Sequence, residues 1–204
     1  MTDGTRERFL TATAKLLQER GYRGTSLNDI LSESGAPRGS LYYHFPGGKE
    51  ELAREATQRE VRTISEYIAT AFRECADPVE AVRAYVEGAR EHIRTGGFLL
   101  GCPVASLVLD SPEASSSIRD LCEEALDDWQ ALIRDGLTVS GISVERADSL
   151  AILILTSVEG ALILARSRRD PKPLDTVAEE LAASVSEALR ETTGAGDEGV
   201  RGAR

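Results

Sequence analysis

Only two histidines, His44 and His92, and three cysteines, Cys75, Cys102 and Cys122, occur in the 204 residues. The cysteines stand far apart with no CxxC pair, so a metal site lacks enough ligands at the right spacing. Odd, scattered thiols fit reduced cysteines in a cytoplasmic protein better than a disulfide framework. Aromatic residues make up 5% of the chain and tryptophan occurs once. The core must therefore rest on Leu, Ile, Val and Ala, a composition that suits helices. No uninterrupted apolar run opens the chain, because Asp3, Arg6, Glu7 and Arg8 break it, so no secretory leader is expected. The most apolar stretch, Leu150 to Ala165, is interrupted by Thr156, Ser157, Glu159 and Gly160 and falls short of a bilayer's width. It reads as a buried helix in a soluble protein. No nucleophile–base pair and no phosphate loop is visible, which argues against an enzyme and leaves no cofactor to expect.

Charge is unevenly spread. The net charge is −10, which is unpromising for a DNA binder until it is divided. Residues 1–49 hold seven basic and five acidic side chains, a balance of +2, so the other 155 residues hold −12. Any surface that meets phosphate belongs at the N-terminus.

What the chain does have is regular punctuation with helical periodicity between the marks, and no convincing alternation at period two. An all-α fold follows. A first helix is expected over about 5–20, with Phe9, Ala12, Thr13, Leu16 and Leu17 on one face and Gly21 at its end. Ser26 followed by Asp29 has the form of a capping box and opens a short helix closed by Gly35. Pro37 suits the first position of a second short helix, which Pro46-Gly47-Gly48 stops near Phe45. A long helix is expected over 49–75, roughly 40 Å at ~1.5 Å per residue. Further helices are expected over 77–95, 111–137, 143–168 and 174–190, with an apolar but broken stretch from Phe98 to Leu109.

Two short helices around a glycine-containing turn, at 26–34 and 37–45, have the dimensions of a helix-turn-helix. On the second, 100° per residue points Leu41 and Phe45 inward. Gly39, Ser40 and Tyr43 then face out, flanked by Tyr42 and His44. Such a face does little for stability, but it suits a major groove, where hydroxyls bond phosphates and rings touch thymine methyls. Arg38 is placed to reach a phosphate or a guanine edge, and Lys49, at the start of the next helix, to aim its charge at phosphate. Each of these side chains also has a plainer reading, as an aromatic brace or a solvated charge.

The run Gly21-Tyr22-Arg23-Gly24-Thr25-Ser26-Leu27-Asn28-Asp29-Ile30, then Gly35-Ala36-Pro37-Arg38-Gly39-Ser40-Leu41-Tyr42-Tyr43-His44-Phe45, then Lys49-Glu50-Glu51-Leu52, closely resembles the N-terminal signature of the TetR family of bacterial regulators. The likeness covers about residues 5–55. It departs from the family at Pro37, where Ser or Thr is frequent, and in a link before Lys49 that looks one residue longer. Gly101-Cys102-Pro103-Val104-Ala105 and Glu159-Gly160-Ala161 look like the branch that contains a lincomycin-resistance repressor.

The resemblance implies a homodimer that binds operator DNA through Thr25, Ser26, Arg38, Gly39, Ser40, Tyr42, Tyr43, His44 and Lys49. It also implies a small apolar or aromatic effector, and Tyr85, His92, Phe98, Cys102, Trp129 and Glu159 are the candidate pocket residues. The expected organisation is a DNA-binding domain at 1–48, a ligand-binding and dimerisation domain at 49–192, and a disordered tail at 193–204. Dimer contacts are expected on the helices near 143–168 and 174–190, which carry more apolar positions than one subunit's core needs. The functional expectation is a repressor released by its ligand; the alternative is a ligand-independent architectural DNA binder.

Overall fold

The computed structural model describes residues 3–110 and 116–201 of the chain, with backbone alone beyond Thr192. Among the described residues every regular element is helical and no strand occurs. The helices are α1 (Asp3–Arg20), α2 (Leu27–Ser34), α3 (Arg38–His44), α4 (Gly48–Glu74), α5 (Pro78–Thr95), α6 (Pro103–Asp110), α7 (Ser116–Val139), α8 (Val144–Arg168) and α9 (Lys172–Arg201).

Local chemistry explains most of the boundaries. Ser26 caps α2: its side chain accepts from the Asp29 backbone N–H while the Asp29 carboxylate accepts from the Ser26 N–H, the two halves of a capping box. Gly35 ends α2 in left-handed backbone at φ +56°, where a side chain would be strained. Asp77 caps α5 ahead of Pro78, and Ser143 caps α8.

Helix α9 runs Lys172–Arg201. Two elements differ from expectation. Residues 103–110 form α6, because a proline at the first helical position starts a helix as readily as an internal one breaks it. Helix α8 spans 25 residues, so by length and composition alone it is apolar enough to cross a membrane; 44% of its most apolar window is buried inside the fold. The expected start of the 111–137 helix at Ser111-Pro112 lies outside the described residues, and α7 is described from Ser116.

The chain forms two compact units, Met1–Ile64 with Leu99–Leu126, and Ser65–Phe98 with Asp127–Arg204.

In the first unit, Phe9, Leu10, Ala14, Leu16, Ile30, Ala36, Leu41, Phe45, Leu52 and Ala56 form one buried cluster. The Phe9 and Phe45 rings meet edge to face with centroids 6.1 Å apart. Burying a phenylalanine fully is worth about 1.5–3 kcal/mol, a large share for so small a core. Ion pairs Arg6–Glu55 and Arg59–Glu7 tie α1 to the first half of α4. In the second unit, α5 and α8 both pack on α9 and on each other. Arg83–Glu179 and Arg90–Asp175 pairs, each at 2.8 Å, join α5 to α9 along their rim. Trp129 is fully buried and its indole N–H donates to Ser65 Oγ at 3.0 Å.

Candidate nucleic-acid interface

Helix α3 has two faces of opposite character. Leu41 and Phe45 are buried in the cluster of the first unit, as the 100° spacing predicts. On the other side Tyr43 is 75% exposed and Tyr42 61%, while Gly39 has open space where a side chain would stand. His44 is half-buried, its ring edge to face with Tyr43 at 5.0 Å. The Tyr43 ring meets His44 but stays mostly in solvent. An aromatic ring left that wet has little to do in folding.

The turn that aims α3 is held from three sides. Arg8 Nε donates to the Ser34 carbonyl at 2.9 Å, anchoring α1 to the end of α2. The Ala36 N–H donates to Ser34 Oγ at 3.3 Å. Arg38 donates to Asn28 Oδ1 at 2.5 Å, so its guanidinium is steadied by α2 while staying exposed. Asn28 carried no signal in the sequence reading, since a lone polar residue on a short helix looks like ordinary surface.

Not every expected contact is free for DNA. Thr25 is completely buried and its hydroxyl donates to the Gly21 carbonyl at 2.8 Å, which closes the α1–α2 turn. That hydroxyl is turned inward, away from solvent. Ser26 is exposed, but its hydroxyl serves the α2 cap. Ser40 donates its hydroxyl proton to the Pro37 carbonyl at 2.7 Å, which leaves oxygen lone pairs for a donor. Lys49, in the first turn of α4, is half-buried with its ammonium 4.1 Å from the centre of the Tyr22 ring. Burial pulls its pKa down and Asp110 opposes that shift.

The candidate pocket residues divide between the units. Cys102 is buried in the first, whereas Tyr85, His92, Phe98, Trp129 and Glu159 belong to the second. Two grooves are described in the second unit. One of about 460 Å³ is lined by the α5–α9 ion pairs, and one of about 470 Å³ by Asp77, Ser140, Ser186 and Arg190; none of the six residues lines either. Phe98 follows Gly97, and both take positive φ, +61° and +62°, which ends α5 sharply. Burial pushes the Cys122 thiol up to about 11, which leaves it unreactive at neutral pH.

Residues 9–56 match the family model described as bacterial regulatory proteins of the tetR family, and residues 78–180 match the C-terminal domain of LmrA/YxaF-like transcriptional regulators. The HTH-type transcriptional regulator LmrA of Bacillus subtilis is 36% identical over 170 residues, covering 83% of this chain and 90% of its own. This chain belongs to the TetR family.

TetR-family proteins are transcriptional regulators rather than enzymes, and they bind operator DNA as dimers. YxaF, another Bacillus subtilis regulator of the family, is 34% identical over 181 residues, with 89% and 95% of the two chains covered. Among solved structures, a TetR regulator from Chloroflexus aurantiacus shares 28% identity at a TM-score of 0.77, covering 91% of this chain and 97% of that one. One from Agrobacterium tumefaciens has the same fold at a TM-score of 0.81 and 20% identity, with 90% and 98% covered. The TetR-type signature at residues 21–52 thus coincides with the part of the chain where α3 is held out by a small, tightly braced core.

Proposed function

We propose that this regulator is a repressor whose α3 reads the major groove of its operator and which a small apolar or aromatic molecule releases. The observation that carries the reading is the wet face of α3, where Tyr42 and Tyr43 stand exposed beside an open Gly39 above a fully buried Leu41–Phe45 face. Rings and hydroxyls on such a face meet thymine methyls and phosphate oxygens, and a glycine lets the backbone come close. Gly39, Ser40, Tyr42, Tyr43 and His44 form the reading face; Arg38 and Lys49 face the backbone phosphates, and Ser26 holds the α2 cap beside them.

Two chains pair through α8 and α9. Ile152, Leu153, Ile163 and Leu164 are all exposed on α8 in the single chain, and cover by a second copy removes that apolar surface from water. Two such heads engage half-sites about 34–36 Å apart. The effector binds the second unit, where Tyr85, His92, Phe98, Trp129 and Glu159 are the side chains to probe. Effector and operator then oppose each other reciprocally, typically by ~1–3 kcal/mol.

The test is Tyr43→Ala in a mobility-shift assay on a duplex selected from a random pool by the wild-type protein. Loss of one good base contact weakens binding by about tenfold to a hundredfold. The dimer should be intact by size exclusion. Unchanged affinity would remove Tyr43 from the reading face, and a selected duplex that no small molecule ever releases would favour an architectural DNA binder.

A further inference from the structure

Helix α6 ends on Asp110, and the carboxylate of that residue meets the turn joining α1 to α2. The Arg23 backbone N–H donates to Asp110 Oδ2. Gly21 lies in left-handed backbone at φ +72°, and a methyl group there would sit 2.7 Å from the same oxygen and 3.0 Å from the carboxyl carbon. A side chain at position 21 would therefore strain the backbone and push the carboxylate off its donor. The turn is also closed from within: the Thr25 N–H donates to the Tyr22 carbonyl at 3.3 Å and the Thr25 hydroxyl to the Gly21 carbonyl. Asp110 is half-buried, and α1 packs on α6 within the same unit. The Lys49 ammonium, stacked on Tyr22, feels the Asp110 charge as well. One carboxylate thus bonds the segment that leads into the α2 cap and acts electrostatically on Lys49 in the first turn of α4.

We propose that Asp110 is a positioning residue for DNA binding, whose carboxylate holds the turn at residues 21–25, and with it the helix-turn-helix, in the geometry that engages the operator. The inference rests on the reading of α3 as the DNA-facing helix. The physical case is that a hydrogen bond to an ionised acceptor is about twice as strong as a neutral one. The turn runs straight into Ser26 and α2, so a shift there passes to both. Nothing in the helix-turn-helix alone supplies this restraint, because its donor and acceptor are 87 positions apart.

The experiment uses the full-length dimer with Asp110→Ala and Asp110→Asn. Affinity is read by fluorescence anisotropy on the duplex selected by wild-type protein, and amide hydrogen exchange is read in parallel. Asp110→Ala should weaken operator binding about tenfold, the scale of one charge-assisted hydrogen bond. It should also speed exchange at Arg23 while α5, α8 and α9 keep their protection. Asp110→Asn keeps a carbonyl acceptor, so Arg23 exchange should be slow and affinity within about threefold of wild type. The proposal is overturned by wild-type affinity in Asp110→Ala, by equal losses in both variants, or by protection lost throughout the chain. If the wild-type protein selects no duplex, the functional reading has failed instead, and Arg23 exchange still decides whether Asp110 holds the turn.

Discussion

Helices α3 and α8 both turn large apolar side chains toward solvent, and they do so with different chemistry. The exposed residues of α3 are tyrosines, each a ring with a hydroxyl tip, on a seven-residue helix with an exposed arginine in its first turn. Those of α8 are aliphatic: Ile152, Leu153, Ile163 and Leu164, with Ile163 58% exposed. A tyrosine can stay half wet and still bond a polar partner, whereas an isoleucine gains only from being covered. Exposure alone therefore does not name a partner. The chemistry of the exposed atoms separates a face suited to a hydrated, charged polymer from one suited to another protein surface.

The sharpest way to break this comparison is to charge the aliphatic face. Ile163→Asp leaves the single chain's packing untouched, since the side chain is already exposed, but it would bury an unpaired carboxylate in a dimer. Light scattering after size exclusion should fall from about 44 kDa, twice the 22.0 kDa chain, to the monomer mass at micromolar concentration. Operator binding should fall with it, because one head holds one half-site. A dimer that survives Ile163→Asp would move the interface off this face.

Arg38→Ala tests the other face and should have a smaller effect. The guanidinium is exposed and held by Asn28, so its removal costs little stability. If it meets phosphate, affinity falls for every duplex alike and the salt slope of binding drops by about one. If it reads a guanine, the slope stays and the loss is confined to duplexes carrying that base. Either outcome sharpens the contrast with α8, where salt should matter little.

Much of this was legible in the sequence, and the misses have definite causes. Capping box, left-handed glycine and helix-start proline are local signals, so α2 and α5 fall where the residues say, while α3 starts one residue later, with Pro37 as its N-cap. The inward pair Leu41–Phe45 and the outward tyrosines follow from 100° per residue alone. Helix α6 was obscured because Pro103 inside an apolar run reads as a breaker unless it is known to stand at a helix start. The inward fold of Thr25 onto Gly21 left no periodic trace, because it belongs to a turn. The contact of Asp110 with Arg23 had no local trace, since no periodicity links residues 87 positions apart. The pocket candidates could not be grouped from sequence for the same reason: spacing within a helix cannot say which faces converge.

The smallest effect expected is at the cap beneath α3. Ser26→Ala removes the acceptor of the Asp29 backbone N–H, and losing such a cap costs about 1 kcal/mol of stability. It also strips Asp29 of the group that most favours its charge. Hydrogen bonds from the Ser26 hydroxyl and backbone hold the Asp29 carboxyl below its ordinary value of 3.8. A carboxyl whose folded pKa is depressed adds stability that is fully present above its unfolded value and is lost as pH falls through the folded one. The cap should therefore hold at neutral pH and weaken only in acid below about 3.8. Thermal unfolding against pH should show a small gap between Ser26→Ala and wild type at pH 7, narrowing under those acidic conditions. The gap should be insensitive to operator sequence, because the Ser26 hydroxyl faces Asp29. If Ser26→Ala instead costs operator affinity at unchanged stability, then that hydroxyl faces phosphate, and the DNA-facing surface extends past α3 onto the start of α2.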